Sequence, residues 1–318
     1  MSPTMALHSP VFLFYSALAG GLLVVAGAIL AFLKWVLRSN VAHAWTAYCG
    51  WLFMVPILVL GFFLGRESAI IFLTIVAVLG FKEFTRATEL CHDGILCAAT
   101  YLGIIATGLV CLLKDPSDGT PGWYGLFMAL PIFVIAAILA IPVLRNRGQG
   151  QLRLLALAIV GFVYFGWMFG HVAFLANSTH AYSYLGYLVL AVELNDVAGY
   201  VFGKWFGRHR LRSNISPKKT WEGAIGALAV SLLLPWILLP MLPGFDSRDC
   251  ILAGLIVGIG GQLGDLVVSV IKRDLGVKDM GAIIPGHGGI LDRIDSLVYV
   301  APLFFHHLRY CHYLNPSS

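Results

Sequence analysis

Charge is what this chain has least of. Only 12% of its 318 residues are Asp, Glu, Lys or Arg, where ordinary soluble domains carry about 25%. That scarcity excludes a sizeable soluble domain. Apolar residues make up 59% of the chain and the mean hydropathy is +0.85. Runs of roughly 20 apolar residues, the length of a membrane-spanning helix, recur from end to end. Alternating segments of about 10 residues are missing, which excludes a transmembrane β-barrel. The six cysteines, Cys49, Cys91, Cys97, Cys111, Cys250 and Cys311, form no Cys-x-x-Cys pair. Neither a zinc site nor a disulfide framework is therefore expected, and the cysteines read as small buried hydrophobes. The N-terminus lacks the positive segment of a cleaved signal peptide, so 11–33 reads as a retained first span. Low-complexity segments and internal repeats are lacking too.

What is there is an all-α, polytopic transmembrane helical protein of about nine to ten spans. Coarse spans fall at 11–33, 47–65, 68–82, 95–113, 123–144, 153–175, 184–203, 222–242, 250–271 and 296–309. The third is short for a membrane crossing and reads as tilted or joined to an amphipathic helix. With the first loop, 34–40, on the cytoplasmic side, seventeen Lys and Arg face the cytoplasm and only Arg66, Lys114, Arg248 and Arg309 face away. This asymmetry sets the orientation, with both ends outside. The whole chain reads as one integral membrane domain. Residues 1–183 form accessory N-terminal spans, and 184–318, which hold nearly all the polar oddities, form the catalytic half.

Four constellations carry chemistry. In Glu193-Leu-Asn195-Asp196, with Tyr200 further on, Glu193, Asp196 and Tyr200 share one helix face inside an apolar span. Carboxylates at that depth are functional-site candidates, unless the span ends early and they are simply wet. In Ser216-Pro217-Lys218-Lys219-Thr220-Trp221-Glu222-Gly223, Ser216 and Pro217 read as a helix start, with Pro at the first helical position. Such an N-terminus suits phosphate. The alternative is a basic loop that only obeys the positive-inside rule. Gln262, Asp265, Ser269 and Lys272 line one face of one helix, as a polar stripe that must face protein or water. Its bland reading is a structural Asp265–Lys272 tie. The segment Pro285-Gly286-His287-Gly288-Gly289 is a turn whose backbone can approach a ligand closely. It leads into Asp292-Arg293-Ile294-Asp295. Hard oxygen donors without a Cys or His cluster suit Mg²⁺, and nearby cations such as Lys272, Arg273 and Arg293 suit polyphosphate. His287 reads first as a phosphate contact.

The run Ser269-x-Ile271-Lys272-Arg273-x4-Lys278-Asp279-x-Gly281-x2-Ile284-Pro285-x-His287-Gly288-Gly289-Ile290-x-Asp292-Arg293-Ile294-Asp295 resembles the defining pattern of CDP-diacylglycerol synthases (phosphatidate cytidylyltransferases) at every fixed position. The Ser216–Gly223 segment and the Asp196…Tyr200…Gly203 segment resemble that family in the expected order. The motif-bearing likeness covers about 190–300. The resemblance implies a reaction of CTP with phosphatidate, giving CDP-diacylglycerol and pyrophosphate. It implies Mg²⁺ with K⁺ as second metal, held by Asp265 and Asp292. It also implies phosphate neutralisation by Lys218, Lys219, Lys272 and Arg293, and a site shaped by Asp196 and Ser269. Ser216, Thr220, Arg273, His287 and Gly288 complete the expected substrate contacts. Asn195-Asp196-Val197 departs from the Asp-Thr or Asp-Ser form of many bacterial members, which leaves the role of position 197 and the lineage open. The expected partners are CTP, phosphatidate and membrane lipid, without nucleic acid, and a homodimer is the family-based state. The expected setting is a bacterial inner (plasma) membrane, with the active site on the cytoplasmic side. Rival readings are a CTP-dependent enzyme acting on another lipid phosphate or polyprenol, a transporter using Asp265 and Lys272 as an ion relay, and a silent scaffold.

Overall fold

The computed structural model describes residues 1–38, 41–281 and 288–313. Its helices are α1 (Pro3–His8), α2 (Pro10–Trp35), α3 (Ala42–Phe63), α4 (Arg66–Ala87), α5 (Gly94–Leu112), α6 (Tyr124–Leu144), α7 (Gln151–Gly161), α8 (Phe169–Leu175), α9 (Ala181–Phe206), α10 (Trp221–Ile237), α11 (Ser247–Asp274) and α12 (Leu291–Leu308). A π-helical stretch, Phe162–Met168, joins α7 to α8 into one long segment. Among the described residues, eight helices are long and apolar enough to cross a membrane, and α10 is a shorter apolar helix. The tenth expected span lies in α12, whose first turns carry Asp292, Arg293 and Asp295. The third span is not short. α4 runs for 22 residues, because Lys82, Glu83 and Arg86 continue the helix past the apolar window.

The outer surface is oily. Val143, Leu144 and Leu152 are each about four-fifths exposed, as suits an integral membrane protein facing lipid tails. Prolines sit inside α3, α6, α10 and α12, which neighbouring helices in a membrane tolerate. The core gathers Phe81, Phe127, Phe165, Phe169, Tyr187 and Phe304 between α4, α6, the π-helical stretch, α8, α9 and α12. The cysteine expectation holds only in part: Cys111 and Cys250 are buried, Cys97 is half-buried, and Cys49, Cys91 and Cys311 are exposed. All six are free thiols.

Small residues set the packing that matters for the site. A Cβ on Gly264 would lie 2.7 Å from Asp295 O and 2.9 Å from Ser296 Cα, so α11 meets α12 at backbone distance. A Cβ on Gly223 would lie 2.6 Å from Gly199 O, which fixes α10 equally close to α9. At the far end of α11, His307 Nε2 lies 3.2 Å from Asp249 Oδ1 and ties α12 to α11 a second time.

One local expectation is overturned. Ser216 and Pro217 do not start a helix; they open strand β2 (Ser216–Thr220), which pairs antiparallel with β1 (Arg210–Arg212). The Arg210 guanidinium donates to Pro217 O at 2.5 Å. Proline has no N–H to lose here, on a ribbon with only two strands. The helix starts at Trp221, and Thr220 caps it, its hydroxyl accepting from Gly223 N at 3.2 Å. Ser and Thr are both good caps; the one adjoining the apolar run takes the role.

Candidate active site

The polar stripe of α11 forms as its helical spacing requires, but its partners differ from the simplest reading. Asp265 Oδ1 accepts from Ser269 Oγ at 3.2 Å. Asp265 Oδ2 lies 2.8 Å from Lys219 Nζ on β2, so the tie from Asp265 is to Lys219 and not to Lys272. Lys219 also donates to Gln262 Oε1 at 3.3 Å. Gln262 Nε2 donates to Asn195 Oδ1 on α9 at 2.9 Å. Asn195 Nδ2 in turn donates to Ser231 Oγ on α10 at 2.9 Å. A chain of side chains, buried at Asn195 and Ser231 and partly exposed at Gln262 and Lys219, thus runs through three helices and ends by aiming the Lys219 ammonium at Asp265.

Lys272, two turns beyond Asp265 on α11, reaches α12 instead. Its Nζ lies 3.0 Å from Asp292 Oδ1, and both side chains are largely buried. Asp292 Oδ2 accepts from the backbone N–H of Met280 at 3.1 Å and of Gly289 at 2.9 Å. Gly288 has φ +78°, and a Cβ there would lie 2.8 Å from Asp292 Oδ2. Glycine at 288 therefore serves both the left-handed backbone and the room for the carboxylate.

The remaining expected residues fall around these two ion pairs. Asp196 on α9 has its nearer oxygen 3.4 Å from Ser296 Oγ, which lies 3.1 Å from Gly261 O. Arg293 is half-buried and its Nε has no hydrogen-bond partner among the described residues. Arg273 Nε donates to Ile215 O at 3.1 Å and so pins the β1–β2 hairpin to the end of α11. Lys218 is exposed and Ser216 half-buried. The Thr220 hydroxyl is engaged in capping α10, so of the Ser-Pro-Lys-Lys-Thr group it is Lys219 that meets the α11 carboxylate. Tyr200 is exposed, with Lys204 Nζ 5.9 Å from its ring centre. His287 lies outside the described residues.

Two acids already marked by their helical spacing, Glu193 and Asp295, join the group. Glu193 is half-buried on α9, and Asp295 is buried on α12, its Oδ1 accepting from Ser296 N at 2.7 Å. Tyr164, from the π-helical stretch, donates its hydroxyl to Asp295 O at 3.3 Å. A third acid, Glu83, comes from α4. It is 3% exposed, and its Oε2 accepts from Leu291 N at 3.0 Å. Its sequence setting, between Lys82 and Arg86 at a span end, signals topology rather than chemistry.

The donor set suits a hard cation. Carboxylates that repel one another across a partly buried space favour a bound cation. Among the described residues no three ligand atoms converge near Asp265 or Asp292. The cation that fits takes one or two carboxylates and completes its shell with water and phosphate oxygens, which is the habit of Mg²⁺. Asp265, with its side chain 30% exposed, is open to it. Asp292 is more enclosed and would share Oδ1 with Lys272.

A family model described as the cytidylyltransferase family matches residues 45–311. Phosphatidate cytidylyltransferase of Staphylococcus aureus (strain COL) is 37% identical over 263 residues, covering 81% of this chain and 95% of that protein. Phosphatidate cytidylyltransferase of Staphylococcus haemolyticus (strain JCSC1435) is 33% identical over 260 residues, with the same coverage. Uncharacterized protein YnbB of Escherichia coli (strain K12) is 47% identical over 127 residues, 40% of this chain and 43% of that protein. The chain thus spans under half of the last relative and nearly all of the other two.

Proposed function

The chain belongs to the cytidylyltransferase family, and from that premise we propose that it makes CDP-diacylglycerol and pyrophosphate from CTP and phosphatidate, as a membrane-embedded nucleotidyltransferase of phospholipid biosynthesis. The observation that carries this reading is the pair of ion pairs, Lys219–Asp265 and Lys272–Asp292, built where α11, α12 and the β1–β2 hairpin meet. They combine phosphate-seeking cations with oxygen donors at the end of two apolar helices. That is what an enzyme joining a lipid headgroup to a soluble nucleotide requires.

The chemistry asks little of a base. A phosphatidate phosphate oxygen, already anionic, attacks the α-phosphorus of CTP in line. The new P–O bond forms as the bond to the β-phosphate oxygen breaks, and pyrophosphate carries away the electron pair. The protein positions and neutralises. Lys219, Lys272 and Arg293 sit where they can draw phosphate oxygens in. Ser269 and Asn195, through Gln262, hold the Asp265–Lys219 pair in register. Asp265 and Asp292 would hold Mg²⁺, with K⁺ as its partner, and the ions would supply charge neutralisation of the triphosphate. The lysine- and arginine-rich loops support a site on the cytoplasmic face, the bacterial relatives support a bacterial plasma membrane, and the resemblance supports a homodimer. The catalytic half is 184–318, with Glu83 contributed from the N-terminal spans.

The test is purified protein in detergent or liposomes, given labelled CTP and phosphatidate with and without Mg²⁺. CDP-diacylglycerol that disappears on chelation is the expected result. A folded protein that yields no CDP-lipid, or yields it only from another lipid phosphate or a polyprenol phosphate, would overturn the reading.

A further inference from the structure

Glu83 lies in the half of the chain to which sequence gives no chemistry, yet it touches the backbone that carries Asp292. Helix α12 has no side-chain cap of its own at Ile290, and the first N–H groups of a helix need acceptors. Glu83 supplies one from α4, 208 residues away, through the 3.0 Å contact with Leu291 N. A carboxylate at a helix N-terminus is also favoured by the helix dipole. The other oxygen, Oε1, is buried and has no hydrogen-bond partner among the described residues.

The glycines beside it show how tightly the group is wedged. A Cβ on Gly289 would lie 2.4 Å from Glu83 Oε2, and one on Gly281 would lie 2.5 Å from Oε1. Neither glycine has a positive φ, so both are glycines for closeness and not for backbone freedom. Asp292 grips the same backbone, accepting from Met280 N and Gly289 N. Two carboxylates, one from each half of the chain, therefore hold 280–281 against 289–291.

We propose that Glu83 is a positioning residue for nucleotide transfer: it caps α12 from a distance, fixes the spacing of Gly281 and Gly289, and thereby sets Asp292 and its partner Lys272. This rests on the function proposed above. An ionisable side chain in a membrane helix is expensive to keep, and the first two turns of α12 repay it with Asp292, Arg293 and Asp295.

The experiment uses the full-length protein. Glu83→Ala is expected to lower kcat/KM on the order of 10- to 100-fold, including a rise in KM for CTP that a loss of folded protein cannot mimic. Glu83→Gln, which keeps an acceptor for Leu291 N–H, should recover most of it. Hydrogen exchange of the peptide containing Leu291 should quicken in Glu83→Ala and stay near wild type in Glu83→Gln. Gly289→Ala should be damaging in the wild-type background and nearly silent in Glu83→Ala, because the two act on one contact. If Glu83→Ala does not fold, Gly289→Ala alone decides: wild-type kinetics there overturn the proposal, and a raised KM for CTP supports it. Unchanged KM and unchanged exchange in folded Glu83→Ala also overturn it. Failure of the wild-type protein to make any CDP-lipid sinks the functional reading instead, and the exchange measurement still reports on the cap.

Discussion

Lys219 of β2 and Asp265 of α11 meet at 2.8 Å, and the same ammonium reaches Gln262 one turn earlier on α11. Neighbouring Lys218 is exposed on the same strand. Two adjacent lysines of one motif are thus physically unequal.

That inequality predicts a split in their mutants. Lys219→Met should cost about 100-fold in kcat/KM, roughly 3 kcal/mol, because a preorganised charge in a partly enclosed site is lost. Lys218→Met should cost less than about threefold at 0.15 M salt, since exposed charge is screened over about 8 Å. Asp265→Asn should abolish turnover while leaving membrane insertion intact. Equal effects for the two lysines, or near wild-type turnover in Asp265→Asn, would contradict the assignment. Steady-state kinetics with labelled CTP decide it.

The chain of amides behind Lys219 makes a separate prediction. Asn195 is fully buried and holds Ser231 with its amide and Gln262 with its carbonyl. Gln262→Ala removes the donor to Asn195 Oδ1, and an unsatisfied buried acceptor costs about 1–3 kcal/mol. The variant should melt several degrees lower in detergent and bind CTP more weakly, since Lys219 loses a guide. A thermal midpoint equal to wild type would mean that Asn195 finds another donor.

What the sequence made legible was what helical spacing can report. Gln262, Asp265 and Ser269 do share a face, and the expected spans all fall on helices. Spacing cannot say which neighbour a long side chain chooses: Lys272 crosses to Asp292 on α12, and Lys219 takes Asp265. The Ser216–Pro217 pair reads as a helix start but opens a strand, and the helix begins four residues later behind Thr220, next to the apolar run. Glu83 was invisible for a different reason. Its partner is a backbone N–H, which has no residue type to read.

Stability at low pH is tied to a pair outside the spans. Arg145 Nη1 donates to both oxygens of Asp93 at 2.8 and 2.7 Å, and Asp93 Oδ1 also accepts from Ile95 N and Leu96 N at the start of α5. Burial pushes the Asp93 pKa up, but the Arg145 hydrogen bonds and charge and the two backbone donors outweigh it, so the net shift is downward. A lowered folded pKa gives stability that is complete above the ordinary carboxylate value and lost as pH falls through the folded value. Asp93→Ala should therefore destabilise by about 2–3 kcal/mol at pH 7, from a broken, partly buried pair and a lost cap. The gap to wild type should close only in acid, below the ordinary carboxylate range. Denaturation in detergent from pH 7 down to about pH 2 measures it; a gap that stays constant even through that acid range would show that the charge of Asp93 is not what matters.

Orientation can be checked with the protein's own thiols. Cys91 is exposed just past α4, on the side that carries Lys82, Arg86, Arg145 and Arg153, and Cys311 is exposed just past α12, at the end away from Asp292. Placing the basic loops in the cytoplasm puts Cys91 inside and Cys311 outside. In single-cysteine versions, a membrane-impermeant maleimide added to intact spheroplasts should label Cys311 and spare Cys91. Permeabilisation should expose both. Labelling of Cys91 before permeabilisation, with Cys311 protected, would reverse the orientation and move Asp265 and Asp292 to the face that CTP does not reach.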